Sequence, residues 1–168
     1  WPILYGVILT TRPAKSAAKY AKIWTSEGSP LKFHTERQAK LLRGLLGESG
    51  ARDTRVAWAM RYGEPSVGTA LDQLLREGAT RILVLPLYPQ YAESTTASVY
   101  DAVAAWRRRH SQAAQFVDCR DYHDHPAYIA ALANSIREHW QANGRPGRLV
   151  MSFHGIPQRA ADRGDPYP

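Results

Sequence analysis

The stretch RILVLPLYPQYAESTTASVYDAVAAWRRRHSQAAQFVDCRDY, residues 81–122, decides the fold. Its first part, Arg81 to Pro89, is a short run of branched apolar residues and reads as a strand. Ser94, Thr95 and Thr96 then offer caps for a helix. That helix closes in WRRRH, Trp106 to His110, where cations complement the helix dipole. QFVDCRDY, Gln115 to Tyr122, is a second strand. A strand, a helix and a strand of these lengths form a βαβ unit, and such units build parallel sheets.

The alternation continues in both directions. RVAWAMRYG (Arg55 to Gly63) reads as a strand. A helix follows, with Pro65 at its start and Gly78 at its end. Downstream, HPAYIAALANSIREHWQANG is a long helix closed by Gly144, and RLVMSF (Arg148 to Phe153) is a fourth strand. Lys15 to Trp24 and Thr35 to Leu46 read as two further helices. The strands are apolar on both faces, so helices are expected on both sides of the sheet. The expected class is α/β, a parallel four-stranded sheet flanked by helices. Neither GxGxxG nor GxxxxGK[ST] follows any strand, so this is a Rossmann-like lobe without a dinucleotide-binding loop. The absence of GxSxG argues against a hydrolase triad.

The 168 residues suffice for one core. The first residue is Trp1 and the last segment, RGDPYP, is loop-like, so the chain is read as a piece of something longer. The apolar run Ile3 to Leu9 is too short to span a bilayer. Cys119 is the only cysteine, which rules out an intrachain disulfide and a cysteine-based zinc site, and its apolar setting points to a buried inert thiol. The 22 basic against 15 acidic residues give +7, a surplus that suits an acidic small substrate, an anionic membrane or nucleic acid. Nucleic acid is set aside. The basic residues are scattered, and their one dense run sits at a helix end.

Ligands of open parallel sheets bind outside the carboxyl ends of the strands. Arg61 and Tyr62, Tyr88 to Tyr91, Asp121 to His123, and His154 stand there. A histidine after a strand is more often structural than catalytic. Three features favour chemistry at His154: its edge position, the shaped turn implied by Gly155 and Pro157, and the other polar strand ends. A neutral imidazole there can accept a proton or ligate a divalent metal. His123 and His125 with Asp124 have a spacing that suits a metal, but Asp124 before Pro126 is better read as a helix cap. His34, His110 and His139 read as surface residues.

LPLYPQYAESTTAS, SFHGIPQR and RGDPYP, together with EGSPL (Glu27 to Leu31) and MRYGEPSV (Met60 to Val67), resemble the ferrochelatase family of proteobacterial type, in order and over essentially the whole chain. The resemblance implies two similar α/β lobes with a porphyrin between them. It makes residues 1–168 the first lobe, without the extreme N-terminal strand and without the second lobe. It implies insertion of ferrous iron into a porphyrin, protoporphyrin IX above all, to form haem. His154 corresponds to the active-site histidine, as proton acceptor or metal ligand, with its carboxylate counterpart beyond Pro168. Arg61 and Tyr88 correspond to cleft-lining positions, and Ser29 and Arg12 to the lip near the propionates. Structural alternatives stand beside each: Arg61 can pair with an acid, Tyr88 can be core, and Ser29 can cap a turn before Pro30. The resemblance also implies no bound organic cofactor, with Fe²⁺ as substrate. Some members carry an iron–sulfur cysteine where YAESTT stands here. Glu93 replaces it, so no cluster of that type is expected, and Glu93 reads as a solvated loop acid. The implied location is cytoplasmic, with peripheral membrane contact allowed and no nucleic-acid partner. Two alternatives remain: another class II tetrapyrrole chelatase, for cobalt or nickel, and a porphyrin-binding module that performs no chemistry as this fragment.

Overall fold

A computed structural model describes residues 9–110 and 114–167. The chain divides into two compact units, Trp1–Ser66 and Val67–Pro168.

The first unit is helical. Helix α1 spans Leu9–Ala21 and α2 spans Pro30–Glu48. Both begin earlier than the sequence periodicity indicates. For α2 the cause is Pro30, whose fixed φ and missing N–H suit the first helical turn. The intervening EGSPL segment is a tight hairpin, in which Thr25 and Gly28 exchange two backbone hydrogen bonds of 3.0 Å. Gly28 has φ +93°, a left-handed conformation that a side chain would strain. After α2 the chain runs back along it. Arg43 Nη2 donates to the Val56 carbonyl at 2.6 Å, and Lys32 Nζ lies 5.9 Å from the Trp58 ring centre.

The strand expected over Arg55–Gly63 is not formed among the described residues. Met60 N–H donates to Pro65 O at 2.8 Å, so this backbone closes a local loop instead of pairing with a neighbouring strand. Gly63 at φ +111° and the cis Glu64–Pro65 peptide shape the loop.

The second unit holds the α/β core. Helix α3 is Val67–Arg76, strand β1 is Arg81–Val84, α4 is Ser98–Arg107, and β2 is Gln115–Asp118. The two strands are parallel, with Arg81 opposite Gln115 and Val84 opposite Asp118. The ladder is shorter than the apolar runs. Its last rung is Cys119 N–H to Val84 O, 3.1 Å. Beyond it Pro86 has no N–H to donate, which ends pairing two residues after β1.

Side chains alternate across a strand. Ile82, buried at 4% exposure, faces α3 and α4 and packs with Leu71, Val103 and Trp106; Phe116 and Val84 border that cluster. Leu83 and Val117 on the other face are exposed. Helices thus cover one face of the pair among the described residues, where the sequence led us to expect both. Apolar runs show that a strand can be covered twice, and not whether it is.

Trp106 is the pivot of this core, at 2% exposure. Its indole N–H donates to Asp72 Oδ1 at 2.8 Å, tying α4 to α3. The His110 ring stacks on it at 4.2 Å, with Nε2 3.7 Å from Asp72. His110 is therefore half-buried and belongs to the α3–α4 junction, not to the free surface. Arg107 lies over the Phe116 ring, so part of the WRRRH run packs on the core.

Helix α5, Pro126–Asn143, follows β2 and has no buried residue. Arg148–Phe153, expected as a fourth strand, forms no ladder among the described residues, and Val150, Met151 and Phe153 are exposed. A strand exists only through its neighbours, and no described segment lies alongside it. The short helix α6, Gln158–Ala161, closes the fold.

Truncating the pivot should be costly. Trp106→Ala is expected to destabilise the chain by about 3–5 kcal/mol, as for large aromatic-to-alanine changes in cores. Trp106→Phe should lose less while still forfeiting the Asp72 bond. Urea unfolding followed by circular dichroism measures both.

Candidate functional site

Parallel pairing places the carboxyl ends of β1 and β2 side by side. From β1 the chain continues as the loop Leu85 to Tyr91 and then a π-helical turn, Glu93–Ala97. That turn contains one residue more than an α-turn. Ala97 N–H reaches back to Ala92 O at 3.3 Å. Such turns occur disproportionately at functional sites. Ala92 and Thr96 are essentially fully buried, so the turn is wedged into the fold. Thr96 Oγ1 has no hydrogen-bond partner among the described residues.

Two long-range bonds hold this loop. Tyr122 N–H, just past β2, donates to Pro89 O at 2.9 Å. Glu93 N–H donates to Asp165 Oδ2 at 2.9 Å. Asp165 is buried at 7% exposure and uses both carboxylate oxygens, since Oδ1 accepts from Tyr167 N–H at 3.1 Å. The bend that delivers it depends on Gly164, whose φ of +91° lets Asp165 N–H turn back onto Ala160 O at 3.1 Å. The Glu93 carboxylate is exposed, as expected, and pairs with Arg163 at 3.2 Å. Its backbone, however, is anchored, so it is more than a solvated loop acid.

Around this junction stand several polar and aromatic groups. Tyr88 is 40% exposed on the loop, so it is not core. Arg120 lies over the Tyr91 ring at 4.6 Å. Tyr122 packs edge-on against Tyr128, and burial first, then Tyr128, raises its phenol pKa. Tyr100 donates its hydroxyl to Cys119 O at 2.6 Å, which fixes α4 to the end of β2. Burial, with Asp118 and Cys119 adding to it, pushes its pKa up to about 12. The Cys119 thiol is half-buried, not fully buried as the sequence led us to expect, and lies 3.9 Å from Asp121 O.

His154 is exposed, at the end of the apolar segment and three residues before the Pro157 cap of α6. It forms no hydrogen bond to a described residue. The connection Gly155–Pro157–α6–Gly164 leads from it to Asp165. The Glu93–Asp165 bond ties the bend after α6, eleven residues beyond His154, to the turn that follows the Tyr88 loop. Tyr88 and His154 both lie in the second unit. Arg61, Ser29 and Arg12 belong to the first unit. Arg61 is half-buried with its guanidinium 4.5 Å from the Tyr62 ring centre. Ser29 occupies the N-cap of α2 without a side-chain capping bond. Arg12 lies in α1, and its side chain is outside the described residues.

The cap of α5 differs from expectation. His125 is the N-cap residue, its Nδ1 accepting from Ala127 N–H at 3.2 Å. Asp124 is left free of that role, and its carboxylate lies with Asp121 and His123 so that their donor atoms are within 4.8 Å of one another. All three are exposed. Asp165, Tyr100 and Arg120 escaped the sequence analysis. Their contacts run across the sequence, and only the GDPYP motif signalled one of them.

The ferrochelatase family model matches residues 1–168. Among curated relatives, the chain is similar to the ferrochelatase of Methylibium petroleiphilum, at 62% identity over 166 residues. It is 59% identical over 167 residues to that of Aromatoleum aromaticum. Each match covers 99% of this chain and 46% of the relative, so the chain spans about half the length of the curated relatives it matches. The chain belongs to the ferrochelatase family.

The Tyr100 hydroxyl offers a direct check of this edge. Burial raises its pKa above the ordinary phenol value to about 12, so the fold favours the neutral phenol. The stabilising contribution is full below the unfolded pKa and is lost as pH rises through the folded value. Ultraviolet titration should show late tyrosine ionisation, with a step from Tyr100 at about pH 12. Tyr100→Phe should abolish that late step.

Proposed function

We propose, from membership of the ferrochelatase family, that the whole protein inserts ferrous iron into a porphyrin, protoporphyrin IX above all, to form haem, with residues 1–168 as its first lobe. We assign Arg55–Gly63 and Arg148–Phe153, which form no ladder among the described residues, to a four-stranded sheet of the whole protein on the strength of family membership. The observation that supports the reading is the junction just described: a buried carboxylate, Asp165, fastens the turn that follows the exposed Tyr88 loop at the edge of the parallel pair.

Insertion must remove two N–H protons from a flat macrocycle and give its four nitrogens to Fe²⁺. A ring bent out of plane presents those lone pairs, so a site that binds the bent ring more tightly than the flat one lowers the barrier. Exposed aromatic and apolar side chains suit the ring faces, and guanidinium groups suit its carboxylate arms. Tyr88 supplies the first. Arg61, Arg12 and Ser29 are the positions we assign to the cleft wall and the propionate lip. His154 supplies an imidazole that accepts a pyrrole proton or ligates the incoming metal. A carboxylate outside this chain completes the pair.

Fe²⁺ is substrate, and we assign no bound organic cofactor. One cysteine in the chain cannot supply the set of thiolates that usually holds an iron–sulfur cluster, and Glu93 stands in the segment where some members have a cysteine. No helix among the described residues is long and apolar enough to cross a membrane. A cytoplasmic location, with peripheral membrane contact and without a nucleic-acid partner, is our reading.

The test is anaerobic metal insertion by the whole protein, followed by porphyrin fluorescence. His154→Ala should lower the rate by on the order of 10²-fold or more, the usual weight of a positioned acid–base group, while porphyrin still binds. Equal rates in parent and variant would remove His154 from the chemistry. A panel of Fe²⁺, Co²⁺ and Ni²⁺ against different tetrapyrroles separates a ferrochelatase from another chelatase.

A further inference from the structure

We propose that Asp165 is a positioning residue for the porphyrin site, acting through the backbone of Glu93 to fasten the Tyr88 loop to the Gly164 bend that follows α6. The inference rests on the porphyrin reading above. Three observations carry it. First, Asp165 is one of two buried polar residues among those described, the other being Thr96 in the very turn that Asp165 anchors. Second, both its oxygens are spent on backbone N–H groups, Glu93 at 2.9 Å and Tyr167 at 3.1 Å. A charge-assisted bond to a backbone N–H fixes a segment more firmly than a neutral one. Third, the bond joins segments 72 residues apart, with Glu93 five residues beyond Tyr88 and Asp165 eleven residues beyond His154.

The loop has one other long-range backbone anchor among the described bonds, Pro89 O to Tyr122 N–H. One anchor fixes a point, and two fix an orientation. Without Asp165 the start of the buried turn loses its tie to the segment after α6, and the loop from Tyr88 to Glu93 is held only by the Pro89 bond and by the packing of Ala92 and Thr96. The π-helical turn makes this more acute, since Ala92 already accepts two backbone N–H groups and Glu93 N–H is left to be satisfied from outside. The exposed Arg163–Glu93 ion pair lies over the same junction but is the weaker element, because exposed pairs contribute little.

The experiment compares Asp165→Ala, Asp165→Asn and Glu93→Ala in the whole protein. Equilibrium porphyrin binding, steady-state constants and thermal midpoint are measured for each. Glu93→Ala keeps the backbone N–H and removes only the ion pair, so it should behave as the parent. Asp165→Ala should raise porphyrin Kd and KM about tenfold, the scale of a lost bond to a charged group. Asp165→Asn keeps one acceptor oxygen and should fall between. A purely structural role lowers the thermal midpoint without moving the Kd of the folded fraction. Folded Asp165→Ala with parental Kd and KM would therefore overturn the proposal. Were Asp165→Ala not to fold, a parental Kd in Asp165→Asn would overturn it equally. A parent that binds no porphyrin defeats the functional reading and this proposal together, whereas an active parent with parent-like variants defeats the positioning role alone.

Discussion

The rest of the second unit depends on one constraint, the parallel pairing of Arg81–Val84 with Gln115–Asp118. Parallel strands cannot be joined by a tight turn, so the chain must leave the end of β1, cross over and return. The crossover is the loop with Tyr88, the π-helical turn and α4. Its return path is fixed by packing. Trp106 and Val103 of α4 close on Ile82 and Leu71, and the indole N–H holds Asp72 of α3. Because both strands point the same way, everything that leaves their ends emerges at one edge. The polar edge is a consequence of topology before it is a feature of any residue.

Topology alone would leave that edge as loose loops. Three bonds turn it into an arrangement. Tyr122 N–H holds Pro89, Tyr100 holds the end of β2, and Asp165 holds Glu93. Each uses a polar group that is wholly or partly buried, where an unmet partner costs more than at the surface. On the proposed function, a site that bends a rigid macrocycle needs such stiffness. A wall that yields as easily as its substrate distorts nothing.

The βαβ unit was legible in the sequence because branched apolar runs flank a helical pattern there, although Ser94, Thr95 and Thr96, expected as caps, lie inside the π-helical turn and α4 has no side-chain cap. Capping and closing residues at α5 also told, though the cap is His125 and not Asp124. The strand ends were less legible. Apolar character continues through Leu87, but Pro86 stops the ladder, and hydropathy does not register a missing donor. Arg55–Gly63 and Arg148–Phe153 carry strand-like composition without a partner strand among the described residues, since composition expresses a tendency and pairing needs a partner. Of the site, His154 and Tyr88 could be singled out by residue type and place. Asp165 could not. In sequence it is an acid between glycine and proline in a turn, and its partner is 72 residues away. No local periodicity encodes that distance.

The proposed function makes the edge beyond β1 and β2, together with the segment around His154, the porphyrin face. Hydrogen–deuterium exchange of the whole protein, with and without porphyrin, tests it most directly. The account requires that porphyrin slow exchange in the loop and π-helical turn after β1, and in the segment around His154, with the surface of α5 unaffected. Slowed exchange confined to other segments, with these two unchanged, would contradict it.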